Sequence, residues 1–268
     1  MKFYTKAILL FSCFLMVSCE MIDYHPYDVS ISGETHVNAK NIVKIEENCK
    51  GKKTIKFVVM GDSHRWYDET VEFVHSVNKI GDVDFVIHNG DISDFGSTDA
   101  FMWTRDIMNK LKMPYVAILG NHDCLGTGEE AFRVIFGDLN YSFIAGGIKF
   151  VCLNTNAIEY DYSRPIPNFD FLKGQIEERK DEFNKTIVSM HVPPYSNVFN
   201  NNVALFFEDY INAFPGLQFC TAGHNHRVYK EDLFDDGTMY YMSDCMGHRN
   251  YYIFTITPNG YDSEVVYF

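Results

Sequence analysis

Apolar residues fall along this chain in short runs, and run after run ends in glycine followed by a side chain able to bind a cation. Ile55 to Met60 reads as a strand buried on both faces and ends at Gly61-Asp62. Asp68 opens a helical stretch in which Val71, Val74 and Val77, with Phe73 and Ile80, recur at helical spacing. Val83 to His88 is a second buried strand before Gly90-Asp91, Ser97 to Leu111 a second helix, and Pro114 to Leu119 a third strand running into Gly120-Asn121. The second half is richer in strands. Tyr141 to Ala145 and Ile148 to Asn154 form a hairpin around Gly146-Gly147, and Phe169 to Phe183 is helical. Lys185 to Met190 is a strand ending at His191, and Leu217 to Thr221 another ending at Gly223-His224. Four β-like stretches close the chain: Val228 to Phe234, Thr238 to Met242, Tyr251 to Thr257 and Asp262 to Phe268. No repeat, low-complexity tract or linker divides residues 54–268, so a single domain is expected there. In α/β sheets the ligand crevice lies beyond the carboxyl ends of the strands, which is where these side chains fall.

The beginning of the chain has a different character. Lys2 and Lys6 precede an apolar run from Ala7 to Val17, too short to span a bilayer but suited to a signal peptide. The run ends in Met16-Val17-Ser18-Cys19, which resembles a bacterial lipobox with Met16 at the place usually held by leucine. The expectation is a signal over residues 1–18, a lipid on Cys19 that attaches the protein to a membrane, and a polar tether over residues 19–53 that leads into an edge strand. The protein would then sit in the cell envelope, lipid-anchored on a periplasmic or outer-membrane face, or else be secreted to the periplasm. Removing residues 1–18 takes the formal charge from −13 to −15, which offers no general attraction to nucleic acid. Beyond Cys13 and Cys19, five widely spaced cysteines remain, with no CxxC pair to build a zinc knuckle. Buried free thiols are the expectation for those in apolar strands. Gly51-Lys52-Lys53-Thr54 lacks the earlier glycine a phosphate loop requires.

Five motifs carry the chemistry: Asp62-Ser63-His64, Gly90-Asp91-Ile92-Ser93-Asp94, Gly120-Asn121-His122-Asp123, His191-Val192-Pro193-Pro194 and Gly223-His224-Asn225-His226. They supply seven oxygen or nitrogen donors, namely Asp62, His64, Asp91, Asn121, His191, His224 and His226. One ion needs three or four protein ligands, so seven suit two ions that share a carboxylate. A mixed Asp, Asn and His set without thiolate favours Mn, Fe or Zn. Any one of these motifs alone reads as a turn; all five in order, each at a strand end, do not. Asp123 is expected to support its neighbours rather than to bind metal.

The series resembles the calcineurin-like metallophosphoesterase superfamily, whose pattern is DxH, GDxxD, GNH[DE], a later His often followed by prolines, and GHxH. The resemblance covers residues 55 to about 230. It implies an α/β (α+β) fold, a four-layer αββα sandwich of two mixed sheets flanked by helices, with a dinuclear metal site at the strand ends. By that pattern Asp62, His64, Asp91 and His226 hold the first metal, and Asp91 bridges to a second completed by Asn121, His191 and His224. His122 is then the catalytic histidine, oriented by Asp94. The implied chemistry is hydrolysis of a phosphoester by a hydroxide shared between two divalent ions, while His122 protonates the departing oxygen.

Two features narrow the substrate. Protein phosphatases of the superfamily continue GDxxD with Arg-Gly, whereas Phe95-Gly96 follows Asp94, so a phosphoprotein is disfavoured. The complete GHxH motif is closer to the branches that act on small phosphodiesters or phosphomonoesters. Substrate contacts are expected from Arg65, Tyr67, Arg164, Tyr195 and Arg249, because arginine pairs with phosphate and an aromatic ring can stack on a base or sugar. A metallo-β-lactamase-type hydrolase would need an HxHxDH run, which His224-Asn225-His226-Arg227 breaks. The alternative from another class is a non-catalytic, metal-stabilised binding lipoprotein on the same fold.

Overall fold

The computed structural model describes His25, residues 28–157 and residues 165–268. The signal and lipobox segment with Cys19, and the substrate candidate Arg164, lie outside the described residues. Two sheets face each other. The first has the order β11-β10-β1-β2-β3, with β1 (Ile55–Met60), β2 (Phe85–His88) and β3 (Tyr115–Ala117) parallel, and β10 (Asn250–Thr257) and β11 (Gly260–Tyr267) added antiparallel. The second has the order β4-β5-β6-β7-β9-β8. Here β5 (Ile148–Leu153), β6 (Lys185–Met190), β7 (Leu217–Ala222) and β9 (Met239–Met242) are parallel, with β4 (Tyr141–Ala145) and β8 (Tyr229–Asp232) antiparallel at the edges.

Both faces of the central strands are covered, which is why they read as apolar runs rather than as alternations. In β1, Ile55, Phe57 and Val59 face the second sheet, while Val58 and Met60 face helices. The inter-sheet layer is an aromatic core: Phe57 stacks on Phe85 at 5.3 Å, meets Phe150 edge-on at 5.1 Å, and lies 5.3 Å from Phe254, which stacks on Phe219. Helices α2 (Tyr67–Ile80), α3 (Thr98–Met108) and α4 (Gly128–Ile135) cover the outer face of the first sheet through Phe73, Val77, Phe101 and Phe132. Helices α5 (Phe169–Glu177) and α6 (Ala204–Asn212) cover the second through Leu172, Phe207 and Ile211. The fold is therefore the expected αββα sandwich. No helix among the described residues is long and apolar enough to cross a membrane.

One expectation is corrected. The segment read as a tether leading into an edge strand contains α1 (Val37–Cys49), a helix laid along the open edge of β3. Its buried positions Val37, Asn41, Ile45 and Cys49 repeat every four residues, a helical stripe that two buried asparagines disguise as polar. Those asparagines substitute for a missing strand. Asn38 Nδ2 donates to Ala117 O at 2.9 Å, its Oδ1 accepts from Ala117 N at 2.8 Å, and Asn41 Nδ2 donates to Tyr115 O at 2.8 Å. A helix over the edge also removes a template for unwanted strand pairing. Asn38→Leu would strand the buried Ala117 N–H, and each unpartnered buried group costs about 1–3 kcal/mol. Urea unfolding is expected to show that loss, and an unchanged midpoint would refute the assignment of Asn38 as an edge partner.

Candidate metal centre

Each motif occupies the loop leaving the carboxyl end of a strand. Asp62 and His64 follow β1, Asp91 and Asp94 follow β2, and Asn121 and His122 come after β3. From the second sheet, His191 follows β6, and His224 and His226 follow β7. Asp62, His64, Asp91, His224 and His226 all take left-handed backbone, with φ between 41° and 71°. That conformation costs an L-residue about 1–2 kcal/mol and persists only where its surroundings impose it. Cross-loop bonds impose it here: Asp62 N donates to Gly90 O at 2.8 Å, His64 N to Asp91 O at 3.0 Å, and Gly223 N to His191 O at 3.0 Å. Two glycines permit the close approach. A Cβ on Gly90, at φ 93°, would lie 2.8 Å from His191 Nδ1, and one on Gly120 would lie 2.1 Å from Asp91 N.

The seven side chains converge into two groups that share Asp91. One comprises Asp62, His64, Asp91 and His226, the other Asp91, His191 and His224. Asn121 joins the second, its Oδ1 lying 3.1 Å from His191 Nε2 and 2.9 Å from His224 Nδ1. In the first group His226 Nε2 is 3.0 Å from Asp62 Oδ1 and 3.3 Å from His64 Nε2. Asp91 Oδ2 is 3.2 Å from His191 Nε2 and 3.6 Å from His64 Nε2. Ligands about 2.1 Å from one ion stand about 3.0–3.4 Å apart at octahedral or tetrahedral angles, and these spacings of 2.9–3.6 Å lie in or within about 0.2 Å of that range.

Electrostatics make the same case. Asp62 and Asp91 are 0% and 1% exposed, and among the described residues no lysine or arginine pairs with either. Burial opposes a charge on His191, yet the Asp91 carboxylate outweighs it and lifts the imidazole to about 9. Burial also opposes ionised Asp91, and the facing His191 overcomes it, holding the carboxyl well below the usual range. His224 is pushed down to about 4 by burial and by His191, and burial lowers His64. Positive charge is thus favoured beside Asp91, where a bound cation would displace the proton on His191, and burial favours the neutral, ligand-competent forms of His64 and His224.

The surroundings hold these groups in place. His191 Nδ1 donates to Asn89 O at 2.7 Å, which presents Nε2 to the centre. Asp123 accepts from the main-chain N–H groups of Ile92, Ser93 and Gly120, tying the loop after β2 to the loop after β3. Burial and the Asp91 charge nonetheless lift its carboxyl to about 8. His88, which the sequence reading passed over, is driven down to about 3 by burial and by His191. It accepts Gly90 N–H on Nδ1 and donates from Nε2 to Ser63 Oγ at 2.8 Å, joining the first two motifs. A histidine ending an apolar strand, two residues before a motif glycine, was its visible signal. The Asn89 contact is main-chain and had none.

His122 is half-buried beside the first group, its ring edge-on to His64 at 5.0 Å. Its Nδ1 donates to Asp94 O at 2.8 Å, so the ring is oriented by the main-chain carbonyl and not by the carboxylate. The carboxylate has another partner: Arg65 Nε meets Oδ2 at 2.8 Å and Nη2 meets Oδ1 at 3.2 Å. The same Oδ1 lies 3.3 Å from His64 Nδ1, outside hydrogen-bonding alignment.

The substrate candidates divide. Arg65 stays largely exposed next to the centre while paired with Asp94. Tyr67 packs edge-on against Trp103 at 5.6 Å. Tyr195 is 52% exposed, with its ring 5.0 Å from Phe234. Arg249 is held by Glu69 at 3.2 Å and Glu72 at 2.8 Å, both on α2. Its charge therefore joins α2 to the loop after β9.

This chain belongs to the calcineurin-like phosphoesterase family, whose model matches residues 55–228. It is 23% identical over 158 residues to a 3',5'-cyclic-nucleotide phosphodiesterase of Nostoc, an alignment covering 56% of this chain and 58% of that protein. Among solved structures it resembles a dimetal phosphatase from Danio rerio, with a TM-score of 0.58 at 10% identity over 80% of this chain and 98% of that one. It also resembles the Plasmodium inner-membrane-complex anchor GAP50, with a TM-score of 0.59 at 13% identity over 81% and 85% of the two chains. The chain spans less than two thirds of the length of the curated relatives it matches.

Proposed function

We propose that the protein is a phosphodiesterase for small phosphodiesters, dependent on two divalent cations held by Asp62, His64, Asp91 and His226 and by Asp91, Asn121, His191 and His224. The observation that carries this reading is the pair of ligand groups sharing Asp91 with an oriented, half-buried His122 beside them. The donor set of carboxylate, amide and imidazole suits Mn, Fe or Zn. When bound, the two cations neutralise phosphate charge and lower the pKa of water enough to provide a nucleophile at neutral pH.

The chain's own residues do the rest. The Asp94 carbonyl can only accept, so Nδ1 of His122 keeps a proton; a second proton, taken up from solvent on Nε2, is the one passed to the departing ester oxygen, which leaves the neutral Nδ1–H imidazole. Asp123 holds the two loops that carry Asp91 and His122 at a fixed separation. Arg65, exposed beside the centre, supplies positive charge at the rim for a phosphate without leaving Asp94. The lipobox-like Cys19 places this hydrolysis at the cell envelope in our reading. The Nostoc relative's name makes cyclic nucleotides the first diesters to test.

The test uses the full chain, stripped with chelator and reloaded with manganese, on bis-p-nitrophenyl phosphate, p-nitrophenyl phosphate and 3',5'-cyclic AMP. The expected result is metal-dependent turnover with kcat/KM for a diester at least about tenfold above the monoester, a difference of ~1.4 kcal/mol. Preference for the monoester would make the protein a phosphatase. Two bound metals without turnover of any ester would favour the binding lipoprotein instead.

A further inference from the structure

A sixth strand end carries side chains that the five motifs do not include. β9 is followed by Asp244-Cys245-Met246-Gly247-His248, and one donor atom from each of Asp244, Cys245 and His248 lies within 4.8 Å of the other two. Asp244 Oδ1 is 2.8 Å from His248 Nδ1, and Cys245 Sγ is 3.7 Å from the same nitrogen. A nucleophilic Cys–His–Asp relay would place the thiol and the carboxylate on opposite ring nitrogens. Here both face Nδ1, which is the convergence of a chelate.

The sulfur–nitrogen spacing of 3.7 Å fits a chelate, while Asp244 Oδ1 and His248 Nδ1 stand at hydrogen-bond distance and would open slightly around an ion. Metal–sulfur and metal–nitrogen bonds of about 2.3 and 2.0 Å at a tetrahedral angle separate the two donors by about 3.6 Å. Each donor is also held. Asp244 is 8% exposed and is fixed through Oδ1 by Cys245 N at 2.9 Å and through Oδ2 by Asn250 Nδ2 at 3.1 Å. Cys245 caps a short 3₁₀ turn over Met246–His248, in which His248 N donates to Cys245 O at 3.1 Å, so one turn carries both the thiol and the imidazole. The His248 side chain is 62% exposed, which leaves one side open for an ion to enter and to keep a solvent or phosphate oxygen as its fourth ligand.

We propose that Asp244, Cys245 and His248 form a third metal site, taking a zinc-class divalent cation, on the flank of the centre built by the seven motif ligands. The site abuts that centre through the backbone: Gly61 and Cys245 form a bridge, and Met246 N donates to Asp62 O at 3.2 Å. Thiolate with imidazole selects zinc or cobalt over manganese or magnesium, so the third site differs in metal preference from its thiolate-free neighbours.

The test is cobalt(II) titration of the chelator-stripped full chain, following bound metal per chain and the near-ultraviolet thiolate-to-cobalt charge-transfer band. Wild type is expected to bind three equivalents and to develop the band with one of them. His248→Ala, at an exposed side chain whose loss leaves the core intact, and Cys245→Ser are each expected to bind two and to lose the band. A saturated wild type without the band, or a band that survives Cys245→Ser, overturns the proposal. A band that appears without the other two equivalents supports this site and overturns the dinuclear reading instead, so the two failures are distinguishable.

Discussion

Asp91→Asn is expected to take both ions from the centre and to lower kcat/KM by about 10³–10⁴-fold, since cations at a phosphoryl group contribute several kcal/mol. Asp91 is the one side chain common to both ligand groups, and its carboxylate is 1% exposed. Its Oδ1 also accepts from His122 N at 2.9 Å. Asparagine keeps an oxygen for that bond and nearly the same shape, so the variant removes charge while sparing the loop. The measurement is metal content by mass spectrometry beside activity. Two ions retained at full occupancy would show that Asp91 does not bridge. One ion retained would identify which group tolerates the amide, since Asn121 already serves as a neutral donor in our reading of the second.

His122→Ala is expected to reduce kcat by about 10²–10⁴-fold, the usual contribution of a positioned general acid, with metal content and KM little changed. His122 belongs to neither ligand group, and its Nδ1 is committed to the Asp94 carbonyl. The loss should be smallest for an ester whose leaving group is a good one, such as p-nitrophenolate, which needs little protonation. A uniform loss across leaving groups would assign His122 to phosphate binding rather than proton transfer. Asp94→Asn is the informative companion: it weakens the grip on Arg65 yet leaves the carbonyl that orients His122.

The strands that carry the site were legible because they are buried on two sides and run into a motif residue, after a glycine in every case but His191. Ile55–Met60 and Lys185–Met190 coincide with expectation, and the other site strands differ only at their ends. What escaped was helical. α1 presents Asn38 and Asn41 inward, so its stripe is half polar. α4 begins at Gly128, after Gly126-Thr127, which reads as a breaker, and α6 follows the asparagine run 200–202. Asp68 was expected to cap α2, yet the helix starts one residue earlier, with Trp66 at the cap position. At the site, residue identity was readable but atom identity was not. Asp94 could be placed near His122 from its motif, but whether it offered a carboxylate or a carbonyl depended on Arg65, 29 positions away, claiming the carboxylate.

The motif side chains do not come from one wall of the sandwich. Asp62, His64, Asp91 and Asn121 stand on the first sheet, whereas His191, His224 and His226 stand on the second. A cation bound among them is therefore a rivet between two layers that otherwise meet through aromatic packing. Any ligand that binds only the folded form adds stability that grows with the logarithm of its free concentration. Starvation for metal would on that account loosen the seam and expose the chain to proteolysis, so that the abundance of the protein, as well as its turnover, would follow metal supply.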